Sequence, residues 1–305
     1  MFDRTLNWDV RMMRNDFEHK WIPLTSLVSG HPMQVVNDVL FLTTRIVNVI
    51  YVDSGRYTGE FTLIDAGVPN AAQEIIDLAE RHFGSHAQPN ALILTHGHFD
   101  HVGSILELID HWGMPVYAHQ DELPFLQGRA DYPPADPGAA SGLIAKLSPT
   151  FPNQGIDLDD HVQVLPEDGS VPGMPEWRWI HTPGHTPGHI SLFRERDRTL
   201  IAGDAITTVQ QESLYDVFTQ KRELHGPPAY FTTDWERARQ SVQTIAALEP
   251  QALITGHGLP VYGAELVDGL RELAEHFQDW EVPKHSRNVH CAVNGRNNKT
   301  SFKEP

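Results

Sequence analysis

The sequence predicts an α+β fold in which two β-sheets pack face to face with helices on their outer sides. Three observations carry this prediction. Short β-branched and apolar runs alternate with amphipathic helical segments. The same rhythm returns, more loosely, in the second half of the chain. Several apolar runs end abruptly in glycine or in a polar turn. Strands mixed with helices in two similar halves bury their apolar faces when the sheets meet and the helices cover the outside.

The elements follow in order. Residues 38–53, VLFLTTRIVNVIYVDS, read as two strands, and 60–65, EFTLID, as a third closed by Ala66 and Gly67. Residues 70–83 place apolar side chains at 72, 75, 76, 79 and 83, one face of a helix, with Asn70 as its N-cap and Gly84 as its stop. ALILT (91–95) is a short buried strand that runs straight into HGHFDHVG. Residues 102–112 then read as a helix and 114–119 as a strand. In the second half, residues 162–165, 177–181, 189–194 and 199–203 read as strands. Thr233, with Glu236 three residues on, forms a capping box that opens a helix to Leu248. ALITG (252–256) is a strand that runs into His257, and 264–280 is a last amphipathic helix.

This organisation makes residues 1–282 a single domain, with an N-terminal extension over 1–34 and lid-like loops over 129–160 and 207–232. A polar C-terminal tail, 283–305, is expected to be loosely held. The chain of 305 residues is long enough for a large core.

Lys plus Arg number 23 against 40 Asp plus Glu, a formal charge of −17, which argues against a nucleic-acid partner. A small anionic substrate stays compatible with that charge, because bound cations reverse the local field. Cys291 is the single cysteine, so no intrachain disulfide can form. The first residues carry charges throughout and no apolar signal core, and no run of 18 apolar residues marks a membrane span. The expectation is a cytoplasmic protein with no membrane partner. A homodimer is expected only because two-fold dimers are the commonest assembly.

The chemistry concentrates in Thr95-His96-Gly97-His98-Phe99-Asp100-His101. Three imidazoles and a carboxylate at a strand terminus are costly to bury unpaired and repel one another when protonated. A cation removes both difficulties, and this donor mixture suits zinc, iron or manganese better than calcium. His96 and His98 can converge from a tight turn, while Asp100 and His101 are expected to begin the following helix and to face a slightly different point. Such an arrangement can feed two adjacent metals. His185, in TPGHTPGH, Asp204, in GD, and His257, in GHG, each follow a predicted strand beside glycine.

The series HxHxDH, TPGHT, GD and GHG, over roughly residues 35–275, resembles the metallo-β-lactamase superfamily. The resemblance implies an αββα sandwich of two mixed sheets, with the site at one edge. It implies that His96, His98 and His185 hold one metal, that Asp100, His101 and His257 hold a second, and that Asp204 bridges them. Asp65 matches a position beside the ligand loop and is expected to orient an imidazole. His189, the second histidine of its motif, is expected to support the ligands or the fold. Histidines 82, 86, 111, 119, 161, 276, 285 and 290 read as surface or helix-end residues.

The expected chemistry is hydrolysis of an ester, lactone or thioester bond of a small molecule by two divalent ions, zinc first, with iron or manganese as alternatives. Two adjacent cations acidify a shared water, which becomes the nucleophile. Asp100 and Asp204 are the catalytic candidates, with Asp100 as proton shuttle. The glyoxalase II and lactonase branches share the full ligand set. Glyoxalase II adds a helical C-terminal domain, for which few residues remain here, and lactonases place a tyrosine after the bridging aspartate, where this chain has Ile206, Thr207 and Thr208. Tyr215 or Tyr230 would have to swing in from the loop, and packing is the preferred reading of both. β-Lactam hydrolysis is disfavoured, because the commonest lactamases put cysteine where Asp204 stands. The alternative outside hydrolysis is a persulfide dioxygenase with one iron. Trp177, Trp179, Phe218, Tyr230 and Phe231 are candidates for a substrate wall, with packing the preferred reading, firmest for Trp177 or Trp179.

Overall fold

The computed structural model describes Met13 and residues 24–54, 59–286 and 288. The first sheet has seven strands in chain order: β1 (Pro32–Val36), β2 (Val39–Thr44), β3 (Val47–Asp53), β4 (Glu60–Ile64), β5 (Gln88–Ile93), β6 (Val116–Ala118) and β7 (Val162–Val164). Strands β1 to β4 pair antiparallel, and β4 to β7 pair parallel. The second sheet runs β12 (Val261–Tyr262), β11 (Ala252–Ile254), β10 (Thr199–Ile201), β9 (Ile190–Arg194) and β8 (Trp177–His181). Only β10 and β11 are parallel in it. Both sheets are therefore mixed.

The period-two alternation of a strand decides the layers. Val39 and Phe41 of β2, Ile50 and Val52 of β3 and Ile93 of β5 face the second sheet, where Ile190, Leu192, Ile201 and Ile254 meet them. Their neighbours Leu40, Leu42, Val49, Tyr51 and Leu63 point the other way, against α1 (Ala72–Phe83) and α2 (Ile105–Trp112). On the far side of the second sheet, Phe193, Leu200 and Leu253 pack on α6 (Trp235–Ala247) and α7 (Gly263–Trp280). The order helix, sheet, sheet, helix is the αββα sandwich. A fully buried Leu, Ile or Phe contributes about 1.5–3 kcal/mol, so three continuous apolar layers dominate the stability. No helix among the described residues is long and apolar enough to cross a membrane.

Several local expectations are corrected. Asn70 is not the N-cap of α1; it adopts φ 66°, outside the extended range a cap uses, and Ala71 precedes the helix. Asp100 and His101 do not begin α2; they lie in turns, where His101 N–H donates to His98 C=O at 2.9 Å, and the helix starts at Ile105. Asp234 rather than Thr233 caps α6, accepting from Arg237 N–H. The segment 129–160 contains the short helix α4 (Leu143–Leu147), and 207–232 contains α5 (Leu214–Thr219). The short helix α3 (Leu123–Leu126) and the edge strands β1 and β12 have no counterpart in the sequence reading. His161 is not on the surface: it is buried, with Nε2 bonded to Met114 C=O at 2.9 Å. At the start of the tail, Ser286 is buried and Asn288 donates to Thr232 C=O at 2.8 Å. His290, Cys291 and the rest of the tail lie outside the described residues, as does most of the N-terminal extension.

Candidate metal centre

Five loop segments meet where the parallel strands end, the usual position for a site in such sheets. Asp65 follows β4, and the 96–101 segment follows β5. His185 lies in the turn between β8 and β9, Asp204 follows β10, and His257 follows β11. Backbone bonds join the two sheets here: Ile190 N–H donates to Thr95 C=O (3.0 Å), and Asn48 N–H to Gly256 C=O (2.7 Å). Gly256 also lets the Asp204 carboxylate approach, because a Cβ there would stand 2.1 Å from Asp204 Oδ1.

The seven ligand candidates come together in two groups. His96 Nε2, His98 Nδ1 and His185 Nε2 converge, with His98 Nδ1 3.1 Å and 3.0 Å from the other two. Asp100, His101 and His257 form a second group. Asp204 Oδ2 stands between the groups, 3.5 Å from His185 Nε2, 3.5 Å from His101 Nε2 and 3.3 Å from His257 Nε2. In each group one ligand atom per residue lies within 4.8 Å of the others. All seven are buried; Asp100, at 8% exposure, is the most open.

The outer ring nitrogens of His96, His101 and His257 are fixed by the fold. Asp65 Oδ2 lies 2.8 Å from His101 Nδ1 and accepts from Thr95 Oγ1, which is itself 3.0 Å from His96 Nδ1. One carboxylate thus orients an imidazole in each group. His257 Nδ1 lies 2.9 Å from Ile46 C=O, which turns Nε2 inward. His189 joins neither group but supports them from behind: its Nε2 accepts from Asp204 N–H at 2.9 Å, and Nδ1 meets Thr182 Oγ1. Thr233, displaced from its expected cap, donates from its hydroxyl to Gly184 and His185 C=O and so holds the His185 loop.

The electrostatics separate the groups. Burial, reinforced by neighbouring imidazoles, holds His96 and His185 well below the usual histidine pKa, and burial takes His98 down to about 4. In the second group, burial opposes protonation of His101 and His257, but adjacent carboxylates outweigh it, and His257 rises to about 10. Asp204 is held well below the usual carboxylate range, against its burial, by His257 and His101. Among the described residues no Lys or Arg pairs with Asp65, Asp100 or Asp204. His101 Nε2 and Asp204 Oδ1 are buried without a hydrogen bond. Three neutral imidazoles aimed at one point, beside carboxylates that pair with imidazoles and with no Lys or Arg among the described residues, fit divalent cations of the zinc, iron or manganese kind.

The family model described as "Metallo-beta-lactamase superfamily" matches residues 42–257. A Bacillus subtilis relative, "Probable metallo-hydrolase YflN", is 54% identical over 254 residues, covering 83% of this chain and 96% of the relative. The chain belongs to the metallo-β-lactamase superfamily. As a member of that superfamily with a near relative so described, it is supported as a metal-dependent hydrolase. A subclass B3 metallo-β-lactamase of Bradyrhizobium japonicum shares the fold, with TM-score 0.54 at 19% identity, covering 86% of this chain and 96% of the other. "Hydroxyacylglutathione hydrolase GloC" of Haemophilus influenzae is 27% identical over 38% of this chain and 49% of its own length.

Two residues at this metallo-β-lactamase centre escaped the sequence reading. Glu122 is wholly buried beside the His96–His98 turn, and the Tyr132 ring lies 4.6 Å from that of His98. Burial raises the Glu122 pKa, and four hydrogen-bond donors oppose the rise. Nothing in HQDELPFL separates this glutamate from a surface residue, because its partners come from three distant segments. Of the aromatic candidates, Phe231 stands 4.8 Å from His98 and Tyr230 is buried beside it. Trp177 is in the core, Trp179 is half-buried with its indole N–H on Pro166 C=O, and Phe218 and Tyr215 are exposed. A cavity of about 980 Å³ between the 207–229 segment and α7 is lined by none of the seven ligand candidates.

Proposed function

We propose that the protein is a dinuclear hydrolase of the glyoxalase II and lactonase-like branch, opening an ester, lactone or thioester bond of a small molecule. The observation that carries this reading is the position of Asp204 Oδ2, within 3.3–3.5 Å of ligand nitrogens from both groups. One shared carboxylate between two ligand sets is an arrangement that can serve two adjacent cations. His96, His98 and His185 would hold one ion, and Asp100, His101 and His257 the other, with Asp204 common to both. Zinc suits this set best, with iron or manganese as alternatives. A divalent pair supplies an acidified water and a Lewis acid for the scissile carbonyl.

The chain's own residues do the rest. Asp65 and Ile46 C=O keep the ligand nitrogens of His101 and His257 turned inward. Asp100, the most open of the seven, would be the proton shuttle, taking a proton on a carboxylate oxygen and passing it to the leaving group. Tyr132 and Phe231 wall the His98 side and exclude bulk water there. The similarity to a protein named for hydroxyacylglutathione hydrolysis supports the thioester member of the class.

The test is metal content on protein purified without added metal or chelator, followed by a panel of lactones, thioesters and esters. Two equivalents of zinc, or of zinc mixed with iron or manganese, and turnover of one panel member are expected. A single equivalent of iron with persulfide consumption and no hydrolysis overturns the reading. Asp100→Ala should lose one equivalent and most activity; retention of both overturns its assignment.

A further inference from the structure

We propose that Glu122 is a positioning residue for the His96–His98–His185 group: its buried carboxylate ties the turn carrying His96 and His98 to the loop carrying His185. The inference rests on the metal-centre reading above. Glu122 ends a single turn, Gln120–Glu122, that leaves β6 of the first sheet. Its Oε2 accepts from Gly97 N–H at 3.1 Å and from the Tyr132 hydroxyl. Its Oε1 accepts from Thr186 Oγ1 at 2.7 Å and from Gly188 N–H at 2.8 Å. Gly97 separates His96 from His98, and Thr186 follows His185. The carboxylate therefore reaches the backbone between two ligands on one sheet and the loop of the third ligand on the other.

Two glycines make this approach possible. A Cβ at residue 97 would stand 2.5 Å from the Tyr132 hydroxyl oxygen, and one at 188 would stand 2.7 Å from Glu122 N. On the outside of the same turn, the His119 ring stacks on His181 of β8 at 4.1 Å. A carboxylate buried without a basic partner is costly unless its oxygens are satisfied, and here four donors satisfy them. Packing alone needs no charge at this position. Three of the four donors, Gly97 N–H, Thr186 Oγ1 and Gly188 N–H, come from the two ligand loops, which is what alignment of those loops needs.

Glu122→Gln keeps the shape but turns one acceptor oxygen into an NH₂ that faces donors. Metal-free wild type and variant are titrated with Zn²⁺ in competition with a chromophoric chelator, with circular dichroism to check the fold. One of the two equivalents should bind about 10–100-fold more weakly in the variant, the other unchanged. Equal weakening of both, as from a general loss of structure, overturns the proposal, and so does no weakening. Wild type that takes up fewer than two equivalents overturns the metal-centre reading and this proposal with it, and is seen before any variant is made. Should Glu122→Gln not fold, Thr186→Val and Tyr132→Phe each delete one donor and should weaken the same equivalent severalfold; no selective loss in either overturns the proposal.

Discussion

At one end of β9 His189 sits behind Asp204 among the ligand candidates; at the other, Arg194 enters a second charged cluster. Arg194, only 1% exposed, pairs with Asp38 at 2.6 Å and Asp197 at 2.7 Å, and its guanidinium lies 4.6 Å from the Trp177 ring. Arg196 adds bonds to Asp38 and Glu176. Asp38 belongs to the turn between β1 and β2, so this cluster also joins the two sheets. Both ends use buried charge to hold the sandwich together. At the Arg194 end the chain supplies its own cations. At the ligand end it supplies carboxylates and imidazoles and no Lys or Arg partner among the described residues. The first arrangement is complete as a structural clamp, whereas the second is complete only with cations from solution.

Mutations should split along that line. The largest effect is expected from Asp204→Ala, which removes the carboxylate shared by both groups. Metal affinity should fall at both sites by more than the roughly 100-fold that loss of an outer partner can cost, with loss of hydrolysis. Equilibrium dialysis with metal analysis reads it, and uptake of two tightly held ions would break the comparison. Asp65→Asn comes next. It leaves the ligands in place but weakens the acceptor for His101 and Thr95, so affinity should fall about 10–100-fold. Arg194→Met should do the opposite: metal stoichiometry unchanged, stability lower by about 2–4 kcal/mol in denaturant unfolding. That is below the full cost of breaking a buried pair because Asp38 and Asp197 are 23% and 34% exposed and partly screened. A metal-binding defect in this variant would show that the two ends are coupled.

The smallest effect is on pH dependence. Burial raises the Asp197 pKa, but bonds from Arg194 and Thr199 outweigh it and hold the carboxyl below its usual range. A carboxyl depressed in the folded state stabilises that state while ionised. Its contribution is full above the ordinary value of about 3.9 and fades as pH falls through the folded value. Wild type should therefore lose more stability than Arg194→Met as pH falls below about 4. Parallel curves for the two proteins would exclude Asp197 as a source of acid sensitivity.

Much of this was readable along the chain. Strand alternation and the apolar face of α1 depend on neighbours two to four residues apart, which sequence displays directly. The ligand candidates were legible because each follows a short apolar strand beside glycine, a local signature. Asn70 and Thr233 failed as caps for the same reason they looked good: a short polar residue before a helix is only a local signal, and Asn70 takes a left-handed φ of 66° while tertiary contacts claimed Thr233. Thr233 bonds to the His185 loop instead, and the α1 start moved to the Ala71 N–H, which donates to Ser104 Oγ.

The sequence by itself determined the sandwich class, most of the longer strands and helices and the seven ligand candidates, because those properties follow from periodicity and donor chemistry. The family resemblance implied which imidazoles share a point, the place of Asp204 and the role of Asp65; only the tertiary structure supplied the distances and brought Glu122 against the ligand loops. Asp65 and His101 are 36 positions apart, and Glu122 and Gly188 are 66 apart. Hydrogen bonds over such separations form only after both sheets have packed, so no local pattern in the chain records them.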